Sequence, residues 1–212
     1  MPAGKTDVRR PGRPANPIGR DAIIAIAKGV FAEGGYAGAS LSQIAERTGL
    51  RKASLYHHFS SKESLYLAVL DTLISDLRDM FAEALLSQGD FGQRLETASS
   101  AVVEYLADNS EAAQILVREM VDGGPFVEAH GSDAIAMTVD VASQFFELGM
   151  DSGYFRRQDP KQLMLSLMGL VLYSYAAGEI SRTVLATDHL SGEGRTARNA
   201  ALKEQIRILC IA

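Results

Sequence analysis

Ser40-Leu41-Ser42-Gln43-Ile44-Ala45-Glu46-Arg47-Thr48-Gly49-Leu50-Arg51-Lys52-Ala53-Ser54-Leu55-Tyr56-His57-His58-Phe59 reads as two short helices and the turn between them. Ser40 with Gln43 three residues on is a capping box, which starts a helix by giving partners to backbone N–H groups that the first turn leaves open. Ile44 and Ala45 turn inward, and Gly49 stops the helix with the positive φ that a tight turn requires. A second helix then runs from about Lys52 to His58. Two short helices so joined cross steeply, and the second can be presented to a DNA groove. Leu55 must face inward, where Ile44, Leu50, Leu55 and Phe59 close a small core with Ile26, Val30 and Phe31. Opposite Leu55 lie Ala53 and His57, with Ser54 and Tyr56 on the flanks and Lys52 at the helix start. That surface is polar and cationic and holds no acid, so it can approach phosphates without repulsion. A solvated helix of an ordinary bundle would carry a similar face, and both readings stay open on these residues alone.

Working outward, Ile23, Ile26, Ala27, Val30 and Phe31 repeat at helical spacing until Gly34–Gly35. The Pro-, Gly- and Arg-rich residues 1–17 are expected to form a flexible basic arm. Downstream, Ser61 caps a long helix whose Leu65, Ala68, Val69, Thr72 and Leu73 keep the period to about Leu86. Helices follow near 91–108, 110–121, 125–130, 132–153, 160–186 and 195–210, parted by Gly89, Asn109, Gly123–Pro125, Gly131, Gly153 and Pro160. No segment alternates with period two for long enough to make a strand. The expectation is an all-α chain of about nine helices: the arm 1–17, a helix-turn-helix domain 18–64 built on motif 40–59, and a larger helical body 65–212.

The composition, 47% apolar and 22% charged over 212 residues, is that of a globular protein rather than a disordered one. A single cysteine, Cys210, excludes an internal disulfide framework and suits a reducing compartment. No apolar run reaches the roughly 18 residues needed to span a bilayer. No apolar stretch follows Arg9, Arg10 and Arg13 to make a secretory signal, so a cytoplasmic location is expected, without a membrane partner. The net charge of −5 hides an asymmetry: residues 1–64 balance at +5 and residues 65–212 at −10. A basic head on an acidic body draws one end toward nucleic acid and keeps the other off it. Catalysis finds no support, because the histidines are scattered and Cys210 has no base beside it in sequence. His57 and His58 make a poor metal pair, since neighbouring helical residues point about 100° apart. No cofactor or metal site is expected.

Gly49-Leu50-Arg51-Lys52-Ala53-Ser54-Leu55-Tyr56-His57-His58-Phe59, followed by Ser61-Lys62-Glu63 and Leu65, resembles the signature of the TetR family of bacterial regulators. Phe31, Gly35 and Tyr36 at the end of the first helix, and the capped second helix, match it too. The resemblance is specific over about residues 18–70 and architectural beyond. It implies that Tyr56 meets the DNA backbone or a thymine methyl, and that Lys62, at a helix start, fixes a phosphate. Lys52, Ala53 and Ser54 fall at base-reading positions, with Ser40 and Ser42 of the preceding helix beside them, and His57 and His58 at backbone contacts. Packing is the alternative role for Tyr56 and His58. Arg51 departs from the small or polar residue usual after the turn, which leaves its role open. Arg10 and Arg13, in an Arg-Gly-Arg-Pro stretch similar to part of an AT-hook, suit a minor groove; the alternative is a solvated tail.

The same resemblance implies a homodimer whose last two helices form a four-helix bundle across a two-fold axis. The candidate interface residues are Leu163, Leu167, Leu170, Ser174 and Gly178 on one helix, and Ala201, Leu202, Ile206 and Leu209 on the other. Completion of the monomer core is the alternative. Cys210 reads as a buried or interface thiol. A pocket for a small, mostly apolar effector is expected within the body, with candidates Tyr105, Met120, Phe126, Met137, Phe145, Phe146, Met150, Met164, Met168 and Tyr173. Arg118, in an otherwise apolar stretch, is a candidate ligand anchor or half of an internal ion pair. The implied function is transcription regulation: a dimer binds double-stranded, pseudo-palindromic operator DNA, with recognition helices about 34–36 Å apart or a multiple. Repression is the usual outcome, relieved when effector favours another head spacing through the long fourth helix. The rival readings are a family member without an inducer and a helical interaction module with no DNA role.

Overall fold

The computed structural model describes residues 18–126, 133–186 and 188–211. The head comprises α1 (Arg20–Gly38), α2 (Leu41–Thr48) and α3 (Lys52–His58), and α4 (Lys62–Leu86) leads from it into the body. The body holds α5 (Phe91–Asp108), α6 (Ser110–Asp122), α7 (Asp133–Asp151), α8 (Pro160–Ala176), α9 (Gly178–Leu185) and α10 (Gly192–Cys210). The fold is all-α, and the starts agree with the capping chemistry. Ser40, Ser61 and Asp90 each accept a hydrogen bond from the backbone N–H three residues on, and Asp159 caps α8 with Pro160 in its first turn. The arm, with Arg10 and Arg13, and most of the expected 125–130 helix lie outside the described residues.

Two boundaries differ from expectation. The first helix breaks at Gly35 (φ 65°, ψ 178°) but resumes for a last stretch to Gly38. The single helix expected over 160–186 is two, α8 and α9, parted at Ala177 (φ −90°, ψ 24°). The segment after α9 explains the break. His189 folds back so that its Nε2 lies 2.7 Å from the carbonyl of Ser174, and Leu190 covers Gly178 so closely that a Cβ there would lie 2.5 Å from its Cδ1.

In the head, Ile23, Ala27, Val30 and Phe31 of α1 enclose Ile44 and Leu55, with Ile26 and Leu50 half-buried at the edge. In the body, α4 packs along α5, α6 along α8, and α10 along α5. Phe91, Phe145 and Phe155 stack with ring centroids 5.4–5.7 Å apart and close one end. Head and body are not beads on a string. Besides the continuous α4, α1 packs directly on α6. No helix among the described residues is long and apolar enough to cross a membrane.

Candidate nucleic-acid interface and effector cavity

Gly49 closes α2 in the left-handed region (φ 67°, ψ 13°), where any side chain would be strained, and the N–H groups of Gly49 and Leu50 bond back to Glu46 and Ala45. The chain therefore turns sharply into α3. Leu55 is 0% exposed and Phe59 is buried, so one side of α3 is clamped to the head core. Burial of a leucine side chain contributes about 1.5–3 kcal/mol, enough to hold a seven-residue helix that would not persist alone. The opposite side stands in solvent: Lys52, Ala53, Tyr56, His57 and His58 are exposed and Ser54 is half-buried. Tyr56 is 48% exposed and His58 is no part of the core. Arg51 is exposed at the start of α3, and Ser42 is exposed on α2.

Two residues carry a task inside the head. The Ser40 hydroxyl is held by the capping box, accepting from the Gln43 N–H at 3.2 Å. Lys62, which the resemblance assigns to a phosphate, donates to the carbonyls of Tyr36 at 2.7 Å and Ala39 at 3.2 Å, and its Nζ lies 4.3 Å from the centre of the Tyr36 ring. Its ammonium thus joins the end of α1 to the start of α4. An ammonium has three donors, and these contacts use two of them.

The body holds a partly open cavity of about 190 Å³ between α4, α5, α6, α7, α8 and α10. Its wall is apolar, drawn from such residues as Leu70, Ile74, Phe81, Val102, Phe126 and Val171. Among its described lining residues one is charged, Glu119 of α6, which is 4% exposed. Glu119 Oε2 accepts from the Tyr66 hydroxyl at 2.8 Å, and Oε1 accepts from the backbone N–H of Phe126 at 2.8 Å. Burial and this carboxylate both oppose ionisation of Tyr66, whose pKa is driven well above its ordinary value.

Of the candidates read from residue type, Met120, Phe126, Phe146, Met164 and Met168 line this cavity. Tyr105, Arg118, Met137, Phe145, Met150 and Tyr173 are not among its lining residues. Tyr105 bonds Asp76 at 2.9 Å beside a separate hollow against α1, and Phe145 belongs to the aromatic stack. Met137 and Tyr173 point to solvent. Arg118 reaches out to α1, where its Nη1 would lie 2.8 Å from a Cβ on Gly35. Its sequence neighbour Glu119 stands in the cavity wall, with its carboxylate oxygens bonded to Tyr66 and to the Phe126 N–H. A helical step of 100° separates the two, and only packing decides which side each takes.

The supposed interface residues divide in the same way. Leu163, Leu167, Leu202 and Ile206 are buried within the single chain, and Leu167 and Ile206 line the cavity. Ser174 is buried and bonded by Arg198, Gly178 sits under Leu190, and Leu170 is half-buried. Ala201 and Leu209 are exposed. The outer face of these helices comprises Leu165, Gly169 and Tyr173 on α8 and Ala197, Ala201 and Ile208 on α10. Cys210 is fully buried, and burial pushes its thiol pKa up to about 12, away from the thiolate needed for redox chemistry.

A helix-turn-helix head with an acid-free exposed helix, on a helical body with an apolar cavity, is the build of a ligand-responsive DNA-binding regulator. Residues 23–69 match the model of bacterial regulatory proteins of the tetR family, and residues 92–206 match the tetracyclin repressor-like C-terminal domain. This chain belongs to the TetR family of transcription regulators. It is 33% identical over 152 residues to the HTH-type transcriptional activator FasR of Mycolicibacterium smegmatis, a match that covers 72% of this chain and 68% of FasR. In fold it is similar to the ketosteroid transcriptional regulator KstR2 of Mycobacterium tuberculosis (TM-score 0.70, 18% identity, 91% of this chain and 95% of that one). It is similar also to AibR in complex with isovaleryl coenzyme A and operator DNA (TM-score 0.69, 18% identity, 88% and 97%).

Proposed function

We propose that this regulator acts as a cytoplasmic homodimer that sets α3 of each subunit into the major groove of a two-fold symmetric operator and represses until a small, mostly apolar effector enters the body cavity. The observation that carries it is the α3 face: Lys52, Ala53, Tyr56 and His57 are exposed without an acid among them, on a helix pinned from behind by Leu55. Tyr56, Lys52, Ala53 and Ser54 are the base- and backbone-facing set, with Ser42 alongside. Pairing through the outer face of α8 and α10 would cover Leu165, Tyr173 and Ile208, three large apolar side chains now in solvent. Small residues there, Gly169, Ala197 and Ala201, let two helices approach closely. The AibR complex, with both ligand and operator DNA, lends support by likeness of fold. FasR is named an activator, and transcription from the target promoter with and without the protein decides the sign.

Selection of bound DNA from a random pool, followed by binding measurements, tests the proposal. The expected result is an inverted repeat whose affinity falls in a Lys52→Ala/Tyr56→Phe double variant. Unchanged affinity would remove α3 from the interface. Lys62→Ala should weaken binding to every sequence by a similar factor, through the third ammonium donor and the loosened joint of α1 and α4. Ser54→Ala should instead alter the preference among sequences; equal effects of both changes on every site would overturn these roles. Arg10 and Arg13 are proposed to enter the minor groove. Deletion of residues 1–17 is then expected to reduce the slope of log K against log salt by about 2, and an unchanged slope would return the arm to solvent.

A further inference from the structure

We infer that the cavity holds its effector by hydrocarbon alone: an amphiphile with one polar end, whose apolar part fills the cavity while the polar end stays in water at the opening. The inference rests on the reading of the cavity as the effector site and adds the chemistry it selects. Among the described residues the wall presents no polar surface, although Ser99, Glu119 and Thr138 belong to it. The Ser99 hydroxyl donates to the Glu96 carbonyl at 3.1 Å, the Glu119 carboxylate accepts from Tyr66 and from the Phe126 N–H, and Thr138 has a partner of its own. A hydroxyl, amide or charge carried inward would therefore give up its water and gain no hydrogen bond in return. The cavity is partly open, and Met120 belongs both to its wall and to the exposed surface, so a polar end has water to stay in.

Size sets the second condition. A dry hydrocarbon-lined space of roughly 150 Å³ holds the carbons of a benzene ring, so one of about 190 Å³ takes roughly seven or eight carbons. The side chains that meet them include Leu70, Ile74, Leu77 and Phe81, a stripe along one side of α4, of which the last three are half-buried in the chain. Covering them with hydrocarbon costs no polar group its partner, and each carbon added to the ligand removes further apolar area from water. Because α4 begins at Lys62 in the head, occupancy bears directly on the helix that joins head and body. The cavity thus measures the length of a hydrocarbon group and is indifferent to the head that carries it.

The test measures binding to the full-length protein by calorimetry, with 1-hexanol, 1-octanol, 1-decanol, 1,8-octanediol, octanoate and octylammonium. Affinity is expected to rise about fourfold per carbon from hexanol to octanol and to level off by decanol. Octanoate and octylammonium should fall within about tenfold of octanol, because their charges remain in water. The diol should bind at least about tenfold more weakly than octanol, because one of its hydroxyls must enter. A diol as tight as octanol, or opposite head charges that separate the affinities by more than about a hundredfold, overturns the inference and leaves the cavity reading intact. Failure of all these compounds to bind overturns the cavity reading and the inference with it. Ala98→Leu, at a buried position of the wall, takes up part of the space and should bring the levelling-off to chains shorter by about two carbons. Val102→Phe, at a half-buried position of the wall, does the same should Ala98→Leu not fold. An unchanged length profile in either folded variant places octanol outside the cavity and overturns both readings.

Discussion

An Ala201→Glu variant is expected to elute as a folded monomer and to lose at least about a hundredfold in operator affinity, with its thermal transition little changed. Ala201 is exposed in the single chain, so the added carboxylate meets water and not the core. In the proposed dimer the same atom position lies between two helices brought close by Gly169, Ala197 and Ala201, where two like charges related by the two-fold axis would be driven together and stripped of water. A subunit alone reaches one half-site, and the gain from tethering the second head vanishes. Leu202→Ala, one residue on, provides the contrast: Leu202 is 0% exposed inside the chain, so its loss should lower stability first. If Ala201→Glu stays dimeric with native operator affinity, the outer face of α8 and α10 is not where the subunits meet.

Leu55→Ala has the largest effect expected of any single change in the head. It empties a fully enclosed site between α1, α2 and α3, and such truncations cost roughly 2–5 kcal/mol, a large part of what a domain has. The expected result is a fall in Tm on the order of 10 °C and loss of specific DNA binding, since the seven residues of α3 hold no helix without that anchor. Leu55→Met keeps the volume and should cost under about 1.5 kcal/mol, with operator binding retained. Equal damage from both changes would mean that Leu55 does more than fill space, and native binding by Leu55→Ala would show that α3 is held by something other than its buried face.

The head could be read residue by residue because its signals are local. A capping box, a left-handed glycine and one inward leucine act within a few residues of each other, and each has a single structural meaning. The body was legible only as a sequence of helices. Its helix limits followed from Gly89, Asn109 and Pro160, yet the faces did not, since α8 is apolar nearly all round and its period cannot say which side is inside. Leu163 and Leu167, interface candidates by sequence, are buried inside the chain, and Leu165 and Tyr173 stand in solvent. Arg118, a ligand candidate by residue type, reaches α1 instead.

What the amino-acid order determined by itself is the helical class, the division into head and body, and the surface that α3 turns outward. Those depend on hydrogen bonds and contacts a turn or two apart along the chain. Only the tertiary structure decided that Glu119, not Arg118, meets the cavity, that Lys62 braces α1, and that α8 breaks where His189 returns to it. Each of these joins groups dozens of residues apart or weighs two faces of one helix. Burial there depends on which neighbouring helix arrives, and no local period encodes that.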